Sequence, residues 1–519
     1  MLHVLDWAKI GLLSCQAQQI AKKYQLHKGD KILVQVNQIN VVQQWAIEAS
    51  KGKEAVQVPE EYKEFTDVFS DEKAKQLSPT RGEFDHQIKF KEGAPDTIQC
   101  KVYPMNQAET EFTRNWIQDN LALGKIQELQ SEITCPSFLI KKKNSMFCMV
   151  QDYRPINAWT ILDNSPLPLI RTIMEDLEGM NLFSTFDIWS GYNNVLVKPE
   201  DRHWAAFKTM EGQYEPVVMP FGLMNMPATF QHMINHYASP LQVKYGTKRF
   251  KVYLDNVLIA TGKDNPVELH DQIVQEWLAI CCKYQLFLQT EKCKFKQVQV
   301  NYLGLIIDGD KIWPDPMKLK GLTKWPKELT SKGEVQSTIG IFGYQRIFVE
   351  GFSKIAAPLT KLLKKEVPFK WTMECTQVIR NLKQKLTNKP VLWQPIMNKP
   401  FFLEVDASDY TTRAVLFQKD LEGRPRICGY HSKMFNETEQ HYEIYDKELT
   451  AIDWALANWQ HFLKGAEVHI LTDHKNLTYY QHPHKLMDHA KRVRQQMGEY
   501  NYILHHIPGI TNLVLPRRG

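Results

Sequence analysis

Two aspartates at the ends of apolar runs are the residues of this chain best placed to do chemistry: Asp187, closing NLFSTFD, and Asp255, within FKVYLDNVLIA at 250–260. Asp and Asn both tolerate the positive φ of a two-residue hairpin, so Asp255 and Asn256 read first as the turn between two strands. The second strand-borne acid changes that reading, because two carboxylates that meet in a fold are what a divalent metal needs. Such a pair supports phosphoryl or nucleotidyl transfer, in which two Mg²⁺ ions about 3.5–4 Å apart clamp the attacking and leaving oxygens. A second group lies further on: Asp406 after FFLEV, Glu448 beside the helically spaced stripe Tyr445, Leu449, Ile452, Leu456 and Trp459, and Asp473 after VHILT. Taken singly, Glu448 is an ordinary exposed helix glutamate and Asp473 a turn residue. Together they present acids from strand, helix and strand, in that order.

The elements that must position these acids are legible in outline. A helix is expected over about 107–129, AETEFTRNWIQDNLALGKIQEL, packing on strand-rich segments over about 130–310. Before it, from Pro59 to about Pro104, runs a charged stretch with several Pro and Gly, expected to hug the surface. Residues 1–60 are the least readable, with MLHVLDWAKIGLLSCQAQQIAKKY as an amphipathic helix and KILVQVNQINVV as a strand. Lys and Arg number 64 against 58 acids, and a net charge of +6 over 519 residues does not by itself demand a nucleic-acid partner. Nine cysteines without a CxxC pair argue against a disulfide framework or a zinc site and fit a reducing compartment. Asp6 and Lys9 interrupt the N-terminal apolar stretch and no run of 18 apolar residues occurs, so neither a secretory signal nor a membrane span is expected. An intracellular location, cytoplasmic or nuclear, follows as the expectation.

The words around the acids are more specific than the acids. QDYRPIN at 151–157, SGYNN at 190–194, VVMPFGLMNMPATFQ at 217–231, YLDN at 253–256 and NYLGLIIDG at 301–309 occur in an order and at spacings that resemble the reverse transcriptase of Gypsy-type long-terminal-repeat retrotransposons. The resemblance continues through IFGYQRIFVEGFSKIAAPLTKLLKK at 341–365 and FFLEVDASDY at 401–410, similar to that family's connecting region and ribonuclease H domain, and it runs from about residue 60 onward. It implies an α+β, multi-domain chain: an N-terminal flank of unclear fold at 1–60, right-hand polymerase fingers and palm with their lead-in at 61–310, thumb and connection at 311–395, and an α/β ribonuclease H-like domain at 396–519. By the same resemblance Asp187 and Asp255 are metal-binding acids of the polymerase, and Tyr192 crowds the sugar 2′ position. Phe221 and Gly222 wall the nucleotide pocket, Lys142 of a three-lysine run meets the triphosphate, and Asp406, Glu448 and Asp473 are the metal-binding acids of the nuclease. The implied cofactor is Mg²⁺, with Mn²⁺ as an alternative, and the implied partners are an RNA template, a DNA primer, an RNA–DNA hybrid and dNTP. No acid-protease Asp-Thr/Ser-Gly triplet is evident, and no integrase or chromodomain is read after the nuclease-like unit.

The departures from the family pattern matter as much. The family turn carries two successive Asp, and Asn256 stands at the second, which removes a negative charge from a site that must hold two dications. Cys148 stands where an arginine follows the finger lysines, and a thiol cannot imitate a bidentate phosphate clamp. Arg413 in DYTTRAVLF replaces a glycine typical of that strand, which brings bulk and a positive charge near Asp406. The fourth nuclease acid is missing, with Leu515 or Pro516 near its expected place. Two readings from different classes follow: an enzyme, polymerase and hybrid nuclease with incomplete acid sets, or a non-catalytic nucleic-acid binder or decayed element product. Other features keep plain readings. The histidines lack metal-ligand spacing, Trp204, Trp313 and Trp325 are core, Cys281 and Cys282 are packing residues, and the basic run HAKRVRQ at 489–495 faces either a duplex or solvent.

Overall fold

The computed structural model describes the backbone of residues 2–6 and 31–35, and residues 58–141, 147–165, 168, 173, 176–323, 325–388, 390–474, 493 and 495–507. At the N-terminus, β1 (Leu2–Asp6) pairs antiparallel with β2 (Lys31–Gln35). The chain therefore opens on a strand where a helix was expected; β2 agrees with the expected strand, and the remainder of that helix lies outside the described residues. The lead-in is also more than a surface segment. A short 3₁₀ helix, Glu60–Phe69, buries Tyr62, Val68 and Phe69, and Tyr62 stacks on Phe295 at 5.3 Å while its hydroxyl donates to Asp271 at 2.5 Å. Aromatic rings dispersed among Lys and Glu carry enough apolar area to pull a polar stretch into a core.

Helix α1 (Gln107–Ala122) starts at a capping box, Asn106 with Glu109, which satisfies two otherwise orphaned amides. It stops seven residues before the expected end because Gly124, at φ 67, turns the chain into the strand that follows. That strand is β3 (Ile126–Glu128). After it come β4 (Cys135–Lys141), β5 (Phe147–Gln151), β6 (Met180–Asp187), β7 (Phe207–Lys208) and β8 (Gln213–Pro216). All but β6 form one sheet, in the order β3-β8-β7-β4-β5. The β4–β5 hairpin is the finger-like unit expected around the lysine run, although Lys142 itself lies outside the described residues.

Helix α2 (Met226–Tyr245), β9 (Phe250–Tyr253), β10 (Asn256–Gly262), α3 (Val267–Lys283) and β11 (Lys294–Gln297) complete the palm-like unit. Its sheet runs β11-β6-β10-β9, wholly antiparallel. The near-continuous apolar runs of β6 and β10 follow from burial on both faces. Phe186, Val257 and Ile259 join Phe230, Ile234 and Trp277 of the helices in one core, while Phe183, Leu258 and Ala260 join a second. Cys281 is buried in the first core as expected, but Cys282 is exposed, since adjacent helical positions point about 100° apart. Of the three tryptophans read as core, Trp204, Trp313 and Trp325 are all half-buried.

The second core also contains the helices that follow. Strands β12 (Gln299–Tyr302), β13 (Leu305–Asp308), β14 (Lys311–Pro314) and β15 (Leu392–Trp393) form a meander that straddles residue 310. Helices α4 (Lys332–Tyr344), α5 (Phe352–Leu362) and α6 (Met373–Thr387) bury Phe342, Leu359 and Ile379 in that core. The last unit is a five-stranded sheet, order β18-β17-β16-β19-β20, with α7 (Ile444–Asn458) packed on one face. Its strands are β16 (Phe401–Ala407), β17 (Thr411–Lys419), β18 (Pro425–Met434), β19 (Glu467–Thr472) and β20 (Asn501–His506), with β16-β19-β20 parallel. No helix among the described residues is long and apolar enough to cross a membrane.

Two buried histidines tie the palm's stability to pH. His270 of α3 lies wholly buried between Ser184 Oγ at 2.8 Å and Thr261 Oγ1 at 3.0 Å, and His86 lies buried with its Nδ1 2.9 Å from Thr229 Oγ1. Burial pushes each imidazole down to about 4. The folded chain thus binds fewer protons than the unfolded one between about pH 4 and 6.5, so this stability is present above pH 6.5 and lost as pH falls. At pH 5 each histidine is expected to cost about 2 kcal/mol relative to pH 7.5. Urea unfolding at the two pH values checks this, and a midpoint that does not fall at pH 5 contradicts it.

Candidate active site

The β6–β10 register places the two palm acids together. Asn256, first residue of β10, pairs with Asp187, last residue of β6, and on its other side with Tyr253 of β9. The hairpin turn is therefore Leu254–Asp255, and Asn256 belongs to the strand, which corrects the turn expected from the Asp-Asn pair. Leu254 takes the positive φ, 51°, an uncommon conformation for a bulky side chain. Gln231 of α2 holds it there: its Oε1 accepts from Leu254 N at 2.7 Å, while its Nε2 donates to Asn235 Oδ1 at 2.8 Å. Gly191 leaves room for the turn, since a Cβ there would stand 3.2 Å from Asp255 Cβ.

The side chains at this turn are few and charged. Asn256 Nδ2 donates to Asp255 Oδ1 at 2.9 Å. Lys292 Nζ sits 3.0 Å from Asp187 Oδ1, its own side chain half-exposed. Burial raises the proton affinity of Asp187, Lys292 opposes the shift, and the negative charge of Asp255 adds to it. Two acids and one lysine leave one net negative charge, a donor set that fits a cation held between Asp187 and Asp255. A third carboxylate, which a second ion would call for, is replaced by the Asn256 amide.

Of the expected nucleotide-pocket residues, Tyr192 lies close enough to Asp255 to feel its charge, and Lys142 lies outside the described residues. Tyr192 meets Phe221 edge-to-face at 5.3 Å and Phe230 at 5.9 Å, with Phe221 itself 61% exposed. Gly222, at φ 102, follows, and its carbonyl accepts from Asn157 Nδ2 at 2.8 Å while Asn157 Oδ1 accepts from Met224 N at 2.8 Å. Asn157 of QDYRPIN is thus the clamp on the Phe221–Gly222 loop. Neither it nor Gln231 was singled out in the sequence, where only their place inside the two motifs marks them. Lys292 was missed as well, one of three alternating lysines in TEKCKFK. Cys148 lies on β5 opposite Ile140 of β4, half-buried, with Sγ 3.8 Å from Met149 O.

The nuclease-like acids reach one end of the last sheet. Asp406 is the next-to-last residue of β16, Asp473 directly follows the adjacent parallel strand β19, and Glu448 of α7, buried, accepts from Ala407 N through Oε1 at 3.1 Å. They do not converge. Among the described residues no three His, Cys, Asp or Glu form a group that could hold a metal ion. Arg413, directly opposite Asp406 on β17, instead donates Nε at 3.0 Å and Nη2 to the same Asp406 Oδ2. The nuclease acids as placed therefore do not fit the dication expected of them. Leu515, Pro516 and most of HAKRVRQ lie outside the described residues.

Comparison with known proteins agrees with this anatomy. Residues 140–307 match the family model described as reverse transcriptase (RNA-dependent DNA polymerase), and residues 371–470 match the RNase H-like domain found in reverse transcriptase. The Tf2-7 and Tf2-3 transposon polyproteins of Schizosaccharomyces pombe are 30% identical over 462 residues, 88% of this chain and 34% of theirs, so the chain spans about a third of the length of these relatives. A structure of the foamy viral protease-reverse transcriptase in complex with RNA/DNA hybrid superposes with a TM-score of 0.69 at 18% identity, covering 96% of this chain and 67% of that one. A second, in complex with dsDNA, gives 0.67 at 20% identity over 92% and 98%. Domains of these two families generally work with divalent metals such as Mg²⁺. The chain thus carries, in order, a reverse transcriptase domain and an RNase H-like domain of the kind found in reverse transcriptase.

Proposed function

We propose that this chain is the reverse transcriptase and ribonuclease H section of a Gypsy-type retrotransposon polyprotein, an RNA-directed DNA polymerase whose active site is weakened by Asn256 and Cys148. The observation that carries the reading is the placement of Asp255, in the β9–β10 turn, beside Asp187 at the end of β6 through the Asn256–Asp187 strand pair, with one net negative charge left after Lys292. Asp187 and Asp255 would hold Mg²⁺, or Mn²⁺ in its place, which when bound would offset the charge of a dNTP's phosphates while a primer 3′-hydroxyl loses its proton, bonds to the α-phosphorus and displaces pyrophosphate. Tyr192 bounds the sugar, Phe221 and Gly222 form the pocket wall, and Lys142 meets the triphosphate. The Asn256 amide steers Asp255 by its hydrogen bond and adds no charge. The proposed units are 61–310 for fingers and palm, 311–395 for thumb and connection and 396–519 for the nuclease-like domain. Action inside the cell, cytoplasmic or nuclear, belongs to the same reading.

A second reading, a binder of primer–template duplexes without catalysis, is favoured by the Asp406–Arg413 pair and by Asn256. Primer extension on an RNA template with the purified chain decides between the two. Slow, dNTP- and metal-dependent extension is expected. Its complete absence, both in the unaltered chain and after Asn256→Asp, would leave only the binder.

A further inference from the structure

Asp406 and Arg413 face each other across β16 and β17, and both guanidinium donors reach one oxygen, Asp406 Oδ2. The side chains are only 15% and 21% exposed. The arginine is held from behind as well. Gly351, ahead of α5, has φ 64 and no side chain, and a Cβ there would stand 3.7 Å from Arg413 Cδ. Ser432, which pairs with Arg413 on β18, accepts through its carbonyl from Ser353 Oγ at 2.8 Å and from Arg346 Nη2. The connecting region thus braces the strand next to the pair. Glu448 directs Oε1 to the Ala407 amide, and no three acids converge among the described residues.

We propose that Arg413 is a built-in cation that fills the place on Asp406 a divalent metal would need, making the last domain a hybrid-holding module that neither takes up metal nor cuts. The inference rests on the reading of the chain as a binder of RNA–DNA hybrids. A guanidinium offers a fixed positive charge and a planar fork of donors that suits a carboxylate. A dication entering the site has to displace it and leave a largely buried arginine without its partner, which is costly.

The test uses the full chain carrying Asp187→Asn, so that the palm does not supply a metal signal. Mn²⁺ binding is followed by water-proton relaxation, and hybrid binding by fluorescence anisotropy. Hydrolysis of the RNA strand is followed in parallel; in that reaction water's oxygen bonds to phosphorus and the 3′-oxygen leaves with a proton. This chain should bind hybrid, show no Mn²⁺ site that Asp406→Asn removes, and leave the RNA intact. Adding Arg413→Gly should create an Asp406-dependent Mn²⁺ site at least about tenfold tighter than any in the parent, with Mn²⁺-dependent cleavage alongside. If Arg413→Gly does not fold, Arg413→Met, neutral and of similar length, takes its place. An Asp406-dependent Mn²⁺ site or cleavage already present with Arg413 intact overturns the proposal, as does a folded Arg413 variant that gains neither. Loss of hybrid binding by the parent counts against the hybrid-binder reading, whereas the metal titration and the cleavage assay decide the role of Arg413.

Discussion

Asn256→Asp should raise primer extension on an RNA template by about a hundredfold, the size of effect seen when one preorganised charge-stabilising group is restored to an active site. Asn256 is a strand residue paired with Asp187, so the exchange asks for no left-handed backbone and leaves the Leu254–Asp255 turn as it is. It replaces the amide that donates to Asp255 at 2.9 Å with a third carboxylate beside Asp187 and Asp255. Without a dication the added like charge should lower the melting temperature, and Mg²⁺ should recover the loss, a readout independent of activity. Full activity is not expected while Cys148 occupies its place on the finger hairpin, where a thiol offers no bidentate contact to phosphate. Equal extension rates with and without the exchange would contradict the assignment of Asn256 as the weak point of the site.

Much of this site was legible in the sequence because its acids close apolar runs inside ordered motifs. Asp187 and Asp255 were singled out as acids that could meet, and the β6–β10 register brings them together. The turn was misplaced by one residue. Local preference gives positive φ to Asp or Asn, whereas in the fold the Gln231 amide holds Leu254 at 51°. That contact spans 23 residues, beyond the reach of any local rule. Lys292 escaped notice for the same reason, since nothing in TEKCKF announces an ammonium 3.0 Å from Asp187. In the last domain the order of Asp406, Glu448 and Asp473 was legible, but not that they form no metal-holding group among the described residues. That Arg413 brings a positive charge near Asp406 was read from the sequence, whereas its exact position opposite Asp406 and its two hydrogen bonds to one carboxylate oxygen come only from the strand register and the side-chain geometry.

Binding of an RNA–DNA hybrid is the property on which both readings of the chain depend. Its main driving force is neutralisation of phosphates by Lys and Arg, which releases counterions and makes affinity fall as a power of salt concentration. The acids contribute little, because carboxylates repel the backbone and serve only to hold cations at the reacting atoms. Asp187→Asn should therefore leave hybrid affinity within about threefold of the unaltered chain, a change under 1 kcal/mol. The most direct test is fluorescence anisotropy with a labelled hybrid, titrated at several salt concentrations for the unaltered chain and for Asp187→Asn. The expected result is tight binding at low salt that weakens by about a thousandfold between 50 and 200 mM, in parallel for both chains. No binding at low salt, or an affinity that does not change with salt, would contradict the assignment of this chain to nucleic-acid work altogether.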